Sequence, residues 1–239
     1  MIDDMGATNR FAPRLLTNFA SNAGIAEAYR IIRTGMLLNP DAEEGGTVLV
    51  TSTGRGEGKS LTCANLGIVL SRTDKRVVIL DADLRLPTVH TLFGQAPGSY
   101  GSQLEDPIAA GDPTDPDWVL SFAVPVLPNL SVIPAGSSVQ YPSELLESRR
   151  FAAFLATLRS QFDVVLIDSP PLSLVTDAAV LSGRVDGVLF VLDFQKTKRA
   201  AAKRAVRTLR DSGATILGSV VNRLPASRSG ARGSVYGGA

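Results

Sequence analysis

The chain has 239 residues, of which 44% are hydrophobic and 20% are charged, so it can form one α/β domain with a sizeable core. Its formal net charge of +1 argues against a protein that binds nucleic acid through bulk positive charge. The charge is uneven, however: residues 1–195 carry 14 basic and 22 acidic side chains (net −8), whereas residues 196–239 carry ten and one (net +9). This asymmetry predicts a basic surface or tail with an anionic partner.

Cysteine content and hydropathy exclude further classes. Cys63 is the only cysteine, so the chain can form neither an internal disulfide nor a cysteine-based metal cluster, and a reducing compartment is expected. The first residues lack the basic and apolar regions of a secretory signal. No run approaches about 18 apolar residues, so membrane association is expected to depend on a partner or a surface.

The predicted elements alternate between helices and short apolar strands. An amphipathic helix over about 25–38 comes first. Strands are predicted at 47–51, 76–80, 130–133, 164–167, 187–192 and 216–221, and further helices at 58–71, 143–160, 177–182 and 197–212. Strands that are apolar on both faces and separated by helices indicate a doubly wound, mostly parallel α/β sheet. The expected organisation is one domain over 21–224 between flexible segments at 1–20 and 225–239.

A glycine-rich stretch between the first strand and the next helix indicates a phosphate site. It reads TSTGRGEGKS over residues 51–60. Glycines let backbone N–H groups surround a phosphate, and the helix N-terminus adds partial positive charge. Lys59 can reach the β- and γ-phosphates, and the Ser60 hydroxyl can bind Mg²⁺. The strict pattern requires glycine where this chain has Thr53, and the alternative is an ordinary glycine-rich turn before a helix.

Acidic side chains follow two of the predicted strands. Asp81 and Asp83 come after the second strand, and Asp168 follows the strand at 164–167. Carboxyl ends of parallel strands form the ligand crevice of such a sheet, so these carboxylates are expected to converge. Their mutual repulsion calls for a cation, which a Mg²⁺–nucleotide complex would supply; the alternative is that one or two only cap turns. The lone His90 is expected to be structural.

Four stretches resemble the bacterial tyrosine kinases of capsular and exopolysaccharide synthesis. They are STGRGEGKS at 52–60, VVILDADLRLP at 77–87, VVLIDSPP at 164–171 and EAYRIIRT at 27–34, and the similarity extends over about 20–224. The resemblance implies a P-loop fold and a cytoplasmic, ATP- and Mg²⁺-dependent kinase. It implies that the enzyme phosphorylates tyrosines in its own C-terminal tail and regulates polysaccharide synthesis and export.

The resemblance also implies roles for individual residues. The implied catalytic set is Lys59, Asp81, Asp83 and Asp168, and the implied metal set is Ser60, Asp81, Asp83 and Asp168. Asp81 would lie nearest the tyrosine hydroxyl as general base or metal partner. The implied nucleotide-binding set is Gly54, Arg55, Gly56, Glu57, Gly58, Lys59, Ser60, Leu61 and, at the adenine, Asn222. Arg55 replaces the proline usual in the family and is either a phosphate contact or solvated, and the alternative for Asn222 is a strand-end turn.

The first helix carries Glu27, Arg30 and Arg33 at intervals of three residues. In the resembled family this pattern makes subunit contacts in a ring-like homo-oligomer, so residues 21–40 are expected to form an oligomerisation helix. The alternative is an ion pair within the helix. The core-facing side is expected to be formed by Ile31, Ile32 and Met36.

The C-terminal part contains a single tyrosine, Tyr236, which is the expected phosphoacceptor unless the tail is inert. Five basic side chains are expected on one side of the last long helix: Lys196, Arg199, Lys203, Arg207 and Arg210. This side is either a solvated face or a contact for anionic lipid or an acidic partner. The resemblance implies a membrane-embedded chain-length or activator protein as partner, a location at the inner face of the cell membrane through it, and no nucleic acid.

Two other functions compete with the kinase. One is a nucleotide-switch ATPase of the division-positioning or plasmid-partition type, which has a second lysine early in the loop where this chain has Gly54. The other is a nucleotide-binding assembly subunit without kinase activity. The missing lysine, the helix with Glu27, Arg30 and Arg33, and the tail tyrosine argue against the switch ATPase. The intact lysine, serine and three aspartates of the site argue against an assembly subunit that has lost its chemistry.

Overall fold

The computed structural model describes residues 11–16, 23–37, 46–95, 108, 110–136 and 139–225. Within them, seven strands form one sheet: β1 (Thr47–Ser52), β2 (Val77–Asp81), β3 (Val124–Leu127), β4 (Leu130–Ile133), β5 (Val164–Asp168), β6 (Gly187–Asp193) and β7 (Ile216–Asn222). Their order across the sheet is β3-β4-β2-β5-β1-β6-β7. All neighbouring strands are parallel except β3 and β4. The predicted mostly parallel α/β fold is therefore confirmed.

Helices cover both faces of this sheet. Among the described residues they are α1 (Ala23–Leu37), α2 (Lys59–Ser71), α3 (Val89–Leu92), α4 (Pro116–Leu120), α5 (Pro142–Glu147), α6 (Arg149–Gln161), α7 (Asp177–Ser182) and α8 (Arg199–Asp211). Side chains alternate between the two faces of a strand. Val48 and Val50 accordingly join the core beneath α1 and α2, whereas Leu49 joins the core beneath α5 to α8. Burial on both faces explains why the central strands β2 and β5 are apolar up to their final aspartates.

The burial pattern of α1 differs from the prediction. Ile31 is 66% exposed, whereas Ala26, Tyr29 and Met36 are buried and Ile32 packs at the edge of that core. Successive helical residues turn by about 100°, so Ile31, two residues after Tyr29, lies on the opposite side of the helix. The expectation that Ile31 faces the core was therefore wrong.

Two further differences concern local structure. β3 was not predicted, because it is a four-residue edge strand that contains Pro125, and edge strands tolerate proline. The single helix predicted at 143–160 is two helices that meet at Ser148. The Ser148 backbone is extended, and its hydroxyl accepts a hydrogen bond from the Phe151 N–H at 3.0 Å. Ser148 is therefore the N-cap of α6, which begins as a separate helix at Arg149.

The N-terminal residues 11–16 pack on the domain, although the sequence predicts flexibility for 1–20. Leu15 and Leu16 are 2% and 1% exposed, and the Ala12 N–H donates to the Leu92 carbonyl at 2.8 Å. The chain therefore contributes core residues before α1. In the described part of the chain, no helix combines the length and apolarity needed to cross a membrane.

Candidate functional site

The glycine-rich loop joins β1 to α2, and its geometry explains its glycines. Gly56 and Gly58 adopt φ values of 73° and 97°, which favour glycine. A Cβ atom at Gly58 would lie 2.1 Å from the Asn222 amide nitrogen, so glycine is also needed there for close approach. Because α2 begins at Lys59, its first N–H groups are available to an anion.

The buried side chain of Glu57 stabilises this loop through hydrogen bonds. The side chain is 4% exposed; it accepts hydrogen bonds from the Thr53 N–H at 2.9 Å and from the Thr197 hydroxyl at 2.6 Å. The Asn222 amide donates to the Glu57 carbonyl at 3.2 Å. The Glu57 carboxylate thus connects the loop to the segment that follows β6. Its side chain does not line the cavity that opens beside the loop.

Lys59 lies among acidic groups at the strand ends. Its Nζ is 2.9 Å from Asp83 Oδ2 and 3.6 Å from Asp168 Oδ2. Burial lowers the pKa of Lys59, but the charges of Asp168 and Asp83 outweigh burial and the net shift is upward. The amine therefore stays protonated and neutralises part of the acidic cluster.

The sheet register brings the three aspartates to one edge. Asp81 ends β2 and lies opposite Asp168, which ends the neighbouring parallel strand β5. Asp83 follows two residues later and accepts a hydrogen bond from Lys59. Asp81 and Asp168 are both 0% exposed and Asp83 is 4% exposed, so this is a buried acidic cluster beside the phosphate loop.

Asp81 is also engaged by the backbone that follows it. Its Oδ1 accepts from the Asp83 N–H at 3.2 Å, and its Oδ2 accepts from the N–H groups of Thr88 and Val89 at 3.1 and 3.0 Å. Burial raises the pKa of Asp81 well above its usual range, and the charge of Asp168 adds to the shift. Asp81 therefore shapes the loop between β2 and α3 and is a stronger proton acceptor than an exposed carboxylate.

The donor set fits a hydrated Mg²⁺ held together with a nucleotide. Both carboxylate oxygens of Asp168 are buried without a hydrogen-bond partner, and burial raises the pKa of this group, although Lys59 opposes the shift. The Ser60 hydroxyl lies 3.0 Å from the Thr88 hydroxyl. Within the described ranges, no three His, Cys, Asp or Glu side chains could hold a metal by themselves. Phosphate oxygens and Ser60 would therefore have to complete the oxygen ligands that Mg²⁺ prefers.

A cavity of about 610 Å³ opens over this cluster. The members of the predicted nucleotide-binding set that line it are Arg55, Gly56, Gly58, Lys59, Ser60, Leu61 and Asn222, whereas Gly54 and Glu57 do not. Asp83 also lines the cavity. Its lining also includes the apolar side chains of Leu86 and Leu174, which are 47% and 56% exposed. The cavity thus combines charged and apolar lining residues.

Sequence reasoning missed two ion pairs next to the cavity. Arg85, which lines it, binds the fully buried Asp177 through Nε at 2.9 Å, and the Ser143 hydroxyl donates to the same carboxylate at 2.6 Å. On the other side Arg223 pairs with the buried Asp193. Arg85 belongs to the VVILDADLRLP stretch at 77–87. No sequence pattern, however, links Arg85 to Asp177 or Arg223 to Asp193, because the partners are far apart in the chain.

Several predicted residues lie away from the cavity. In α1, Arg30 and Glu27 form an intrahelical ion pair at 2.7 Å with both side chains about half exposed, and Arg33 is half-buried. His90 is buried in α3, where burial lowers its pKa. Tyr236 lies outside the described residues.

Comparison with known proteins places these features in a family. Residues 45–230 match a family model described as "ParA: NUBPL iron-transfer P-loop NTPase". The tyrosine-protein kinase YwqD of Bacillus subtilis is 32% identical over 82% of this chain and 80% of its own length. The tyrosine-protein kinase Wzc of Salmonella typhi is 32% identical over 83% of this chain but only 27% of its own length, so the chain spans about a quarter of that relative.

Solved structures agree with the sequence relatives. The kinase domain of the Escherichia coli tyrosine kinase ETK is similar with a TM-score of 0.73 and 26% identity, over 84% of this chain and 78% of that domain. The sheet, the glycine-rich loop and the relatives thus lead to the same assignment. The chain belongs to the bacterial tyrosine-protein kinases, an enzyme family with the P-loop NTPase fold.

Proposed function

We propose that this chain transfers the γ-phosphoryl group of Mg²⁺-ATP to tyrosines of its own C-terminal segment, including Tyr236, and thereby regulates capsular or exopolysaccharide synthesis and export. The observation that carries this proposal is the buried cluster in which Lys59 lies 2.9 Å from Asp83 and 3.6 Å from Asp168, beside the glycine-rich loop. Phosphoryl transfer depends mainly on positioning and charge neutralisation, and this cluster offers both.

The proposed roles follow from the contacts of each group. Lys59 exchanges its carboxylate partners for the β- and γ-phosphates when nucleotide enters. Ser60, Asp83 and Asp168 would hold Mg²⁺, directly or through water, and the ion would neutralise charge on the phosphates. The Gly56 and Gly58 region supplies backbone N–H groups.

Asp81 is proposed to take the proton of the acceptor hydroxyl. A carboxylate has about four lone-pair positions, and three N–H groups use three of them here. One lone-pair position thus has no N–H donor. Because Asp81 is 0% exposed and does not line the cavity, this role requires the loop after β2 to move when nucleotide and tyrosine enter. The tyrosine oxygen attacks the γ-phosphorus, ADP leaves and the proton passes to Asp81. The exposed Leu86 and Leu174 beside the cavity suit the ring of the incoming tyrosine.

Mass spectrometry after incubation with Mg²⁺-ATP tests the proposal. We expect phosphotyrosine at Tyr236 in the wild-type chain, no phosphotyrosine in Lys59→Met, and a lower total in Tyr236→Phe. Lys75→Met, which changes a lysine in the turn after α2, is the matched control and should behave as the wild type. ATP hydrolysis without phosphotyrosine, even with a membrane activator present, would overturn the kinase proposal in favour of a nucleotide-switch ATPase or an assembly subunit.

We also propose that α1 makes the contact of a ring-like homo-oligomer. Glu27 and Arg30 are exposed, and the same helix presents Ile25 and Ile31 at 53% and 66% exposure. A contact through α1 would bury the two isoleucines and leave the ion pair at its edge, which is the apolar core and polar rim of many interfaces. Combined Arg30→Ala and Arg33→Ala substitutions should lower the mass measured by light scattering, and an unchanged mass would contradict the ring.

The basic face of α8 is proposed to approach an anionic membrane surface, in company with a membrane-embedded activator at its cytoplasmic side. Lys203, Arg207 and Arg210 are exposed, and in the described part of the chain the ion pairs within 4 Å involve none of them. Each such charge contributes about 1 kcal/mol near anionic lipid. Sedimentation with phosphatidylserine vesicles should exceed that with neutral vesicles, and equal sedimentation would contradict the proposal.

The alternatives have less support. A lysine early in the loop, as in partition-type ATPases, is replaced by Gly54. Iron transfer, which stands in the description of the family model, depends on thiolate ligands, and the single cysteine, Cys63, is fully buried.

A further inference from the structure

Residues 11–16 form a strap that packs on the domain and contributes Arg14 to the lining of the cavity. Phe11 packs edge-on against Phe93 with ring centroids 5.8 Å apart. The Ala12 N–H donates to the Leu92 carbonyl at 2.8 Å. Leu15 and Leu16 are buried in the same core as α1 and α2. These contacts fix both ends of the strap, so its middle has a defined position.

Asn65 of α2 holds the strap next to the phosphate loop. This side chain is 2% exposed; its Oδ1 accepts from the Leu16 N–H at 2.8 Å and its Nδ2 donates to the Arg14 carbonyl at 3.3 Å. Asn65 lies four residues after Leu61, about one helical turn, and Leu61 lines the cavity. The strap therefore crosses α2 close to its first turn, where the phosphate site lies.

Arg14 is the strap residue that lines the cavity, and Ser60 and Leu61 of α2 line it as well. Three other cationic side chains of the wall are already paired: Lys59 with Asp83, Arg85 with Asp177 and Arg223 with Asp193. Arg55 of the phosphate loop also lines the cavity and has no ion pair within 4 Å among the described residues. Arg14 has no ion pair within 4 Å in the described part of the chain and is exposed. Its guanidinium is thus available to an anion, and arginine binds phosphate through several donors at once.

We infer that Arg14 binds the phosphates of the nucleotide, so that the strap is part of the site, and that Asn65 is a positioning residue for it. This inference rests on the proposed function in one respect, the binding of Mg²⁺-ATP in the cavity. It adds a ligand from a segment that precedes α1 and that no motif includes.

Calorimetric titration of the full chain with Mg²⁺-ATP, Mg²⁺-ADP and adenosine tests the inference. Arg14→Ala should weaken ATP and ADP binding roughly tenfold, as expected for one charged hydrogen bond, and should leave adenosine affinity unchanged. Arg14→Lys should restore part of the loss. Arg149→Ala removes an exposed arginine at the start of α6 and should bind all three ligands as the wild type does.

A double-mutant cycle separates positioning by Asn65 from a purely structural role. Asn65→Ala should weaken ATP binding in the wild-type background and have little further effect in Arg14→Ala. Wild-type affinity in Arg14→Ala, an equal loss for adenosine, or an equal effect of Asn65→Ala in both backgrounds would overturn the inference while leaving the kinase proposal intact. Failure of the wild-type chain to bind Mg²⁺-ATP would overturn both.

Discussion

Replacing Glu57 with alanine tests whether this residue supports the phosphate loop from within. The buried carboxylate accepts from the Thr53 N–H at 2.9 Å and from the Thr197 hydroxyl at 2.6 Å. Alanine leaves a buried N–H unpaired at a cost of about 1–3 kcal/mol, whereas the half-buried Thr197 hydroxyl can turn to water. We therefore expect Glu57→Ala to lose about 2 kcal/mol, which in a chain of this size lowers the Tm by about 4–8 °C.

Glu57→Gln is the informative companion variant. Its amide oxygen can accept from Thr53 and its amide nitrogen can donate to Thr197, so we expect a loss below about 1 kcal/mol. Calorimetric melting of the nucleotide-free protein measures both variants, with the exposed Glu147→Ala as control. An unchanged Tm in Glu57→Ala, or equal losses with alanine and glutamine, would refute the reasoning.

Three further predictions address the rest of the site. Burial raises the pKa of Asp168 in the folded protein, so ionisation of this carboxyl lowers the free energy of unfolding as the pH rises above the pKa of the unfolded chain. Asp168→Asn should therefore have a Tm a few degrees above that of the wild type at about pH 8, and the difference in Tm should disappear toward about pH 4. A lower Tm for Asp168→Asn at pH 8 would contradict this expectation. Asp177→Asn removes the buried charge that pairs with Arg85 and should lower the Tm by a few degrees, because the guanidinium loses a charged hydrogen-bond acceptor; an unchanged Tm would show that this pair does not stabilise the fold. Gly58→Ala should weaken ATP binding at least about tenfold in titrations, because its Cβ would meet the Asn222 amide and its backbone is in the left-handed region; wild-type affinity would show that the loop adapts to the added methyl group.

Much of the fold was predictable because local and global signals agree. β2 and β5 are apolar at every position before their final aspartates, as a sheet covered on both faces requires. The aspartates could be assigned to one edge because Asp81 and Asp168 end adjacent parallel strands. In contrast, β3 is short and contains Pro125, and the break at Ser148 depends on a capping hydrogen bond that a hydrophobic pattern does not reveal.

Other features depend on partners that are distant in the chain. Glu57 points inward because Thr197, 140 residues later, offers a hydroxyl. The strap has no regular secondary structure. It is held by contacts with α2, through Asn65, and with α3, through Leu92, and both helices are distant from it in the chain. A sequence window around residues 11–16 contains neither helix, so composition alone predicts flexibility there.

The charges of the ligand-free site indicate why the nucleotide should enter together with a cation. Lys59 is the cation that faces both Asp83 and Asp168, and a lysine that turns to the phosphates leaves these two carboxylates uncompensated. Asp168 is fully buried and its carboxylate oxygens have no hydrogen-bond partner among the described residues, so its charge would then be costly. With Mg²⁺ bound to the nucleotide, the carboxylates again face positive charge, and Lys59 is free to hold the phosphates. ATP without Mg²⁺ should therefore bind more weakly than the complex, and the difference should shrink in Asp168→Asn.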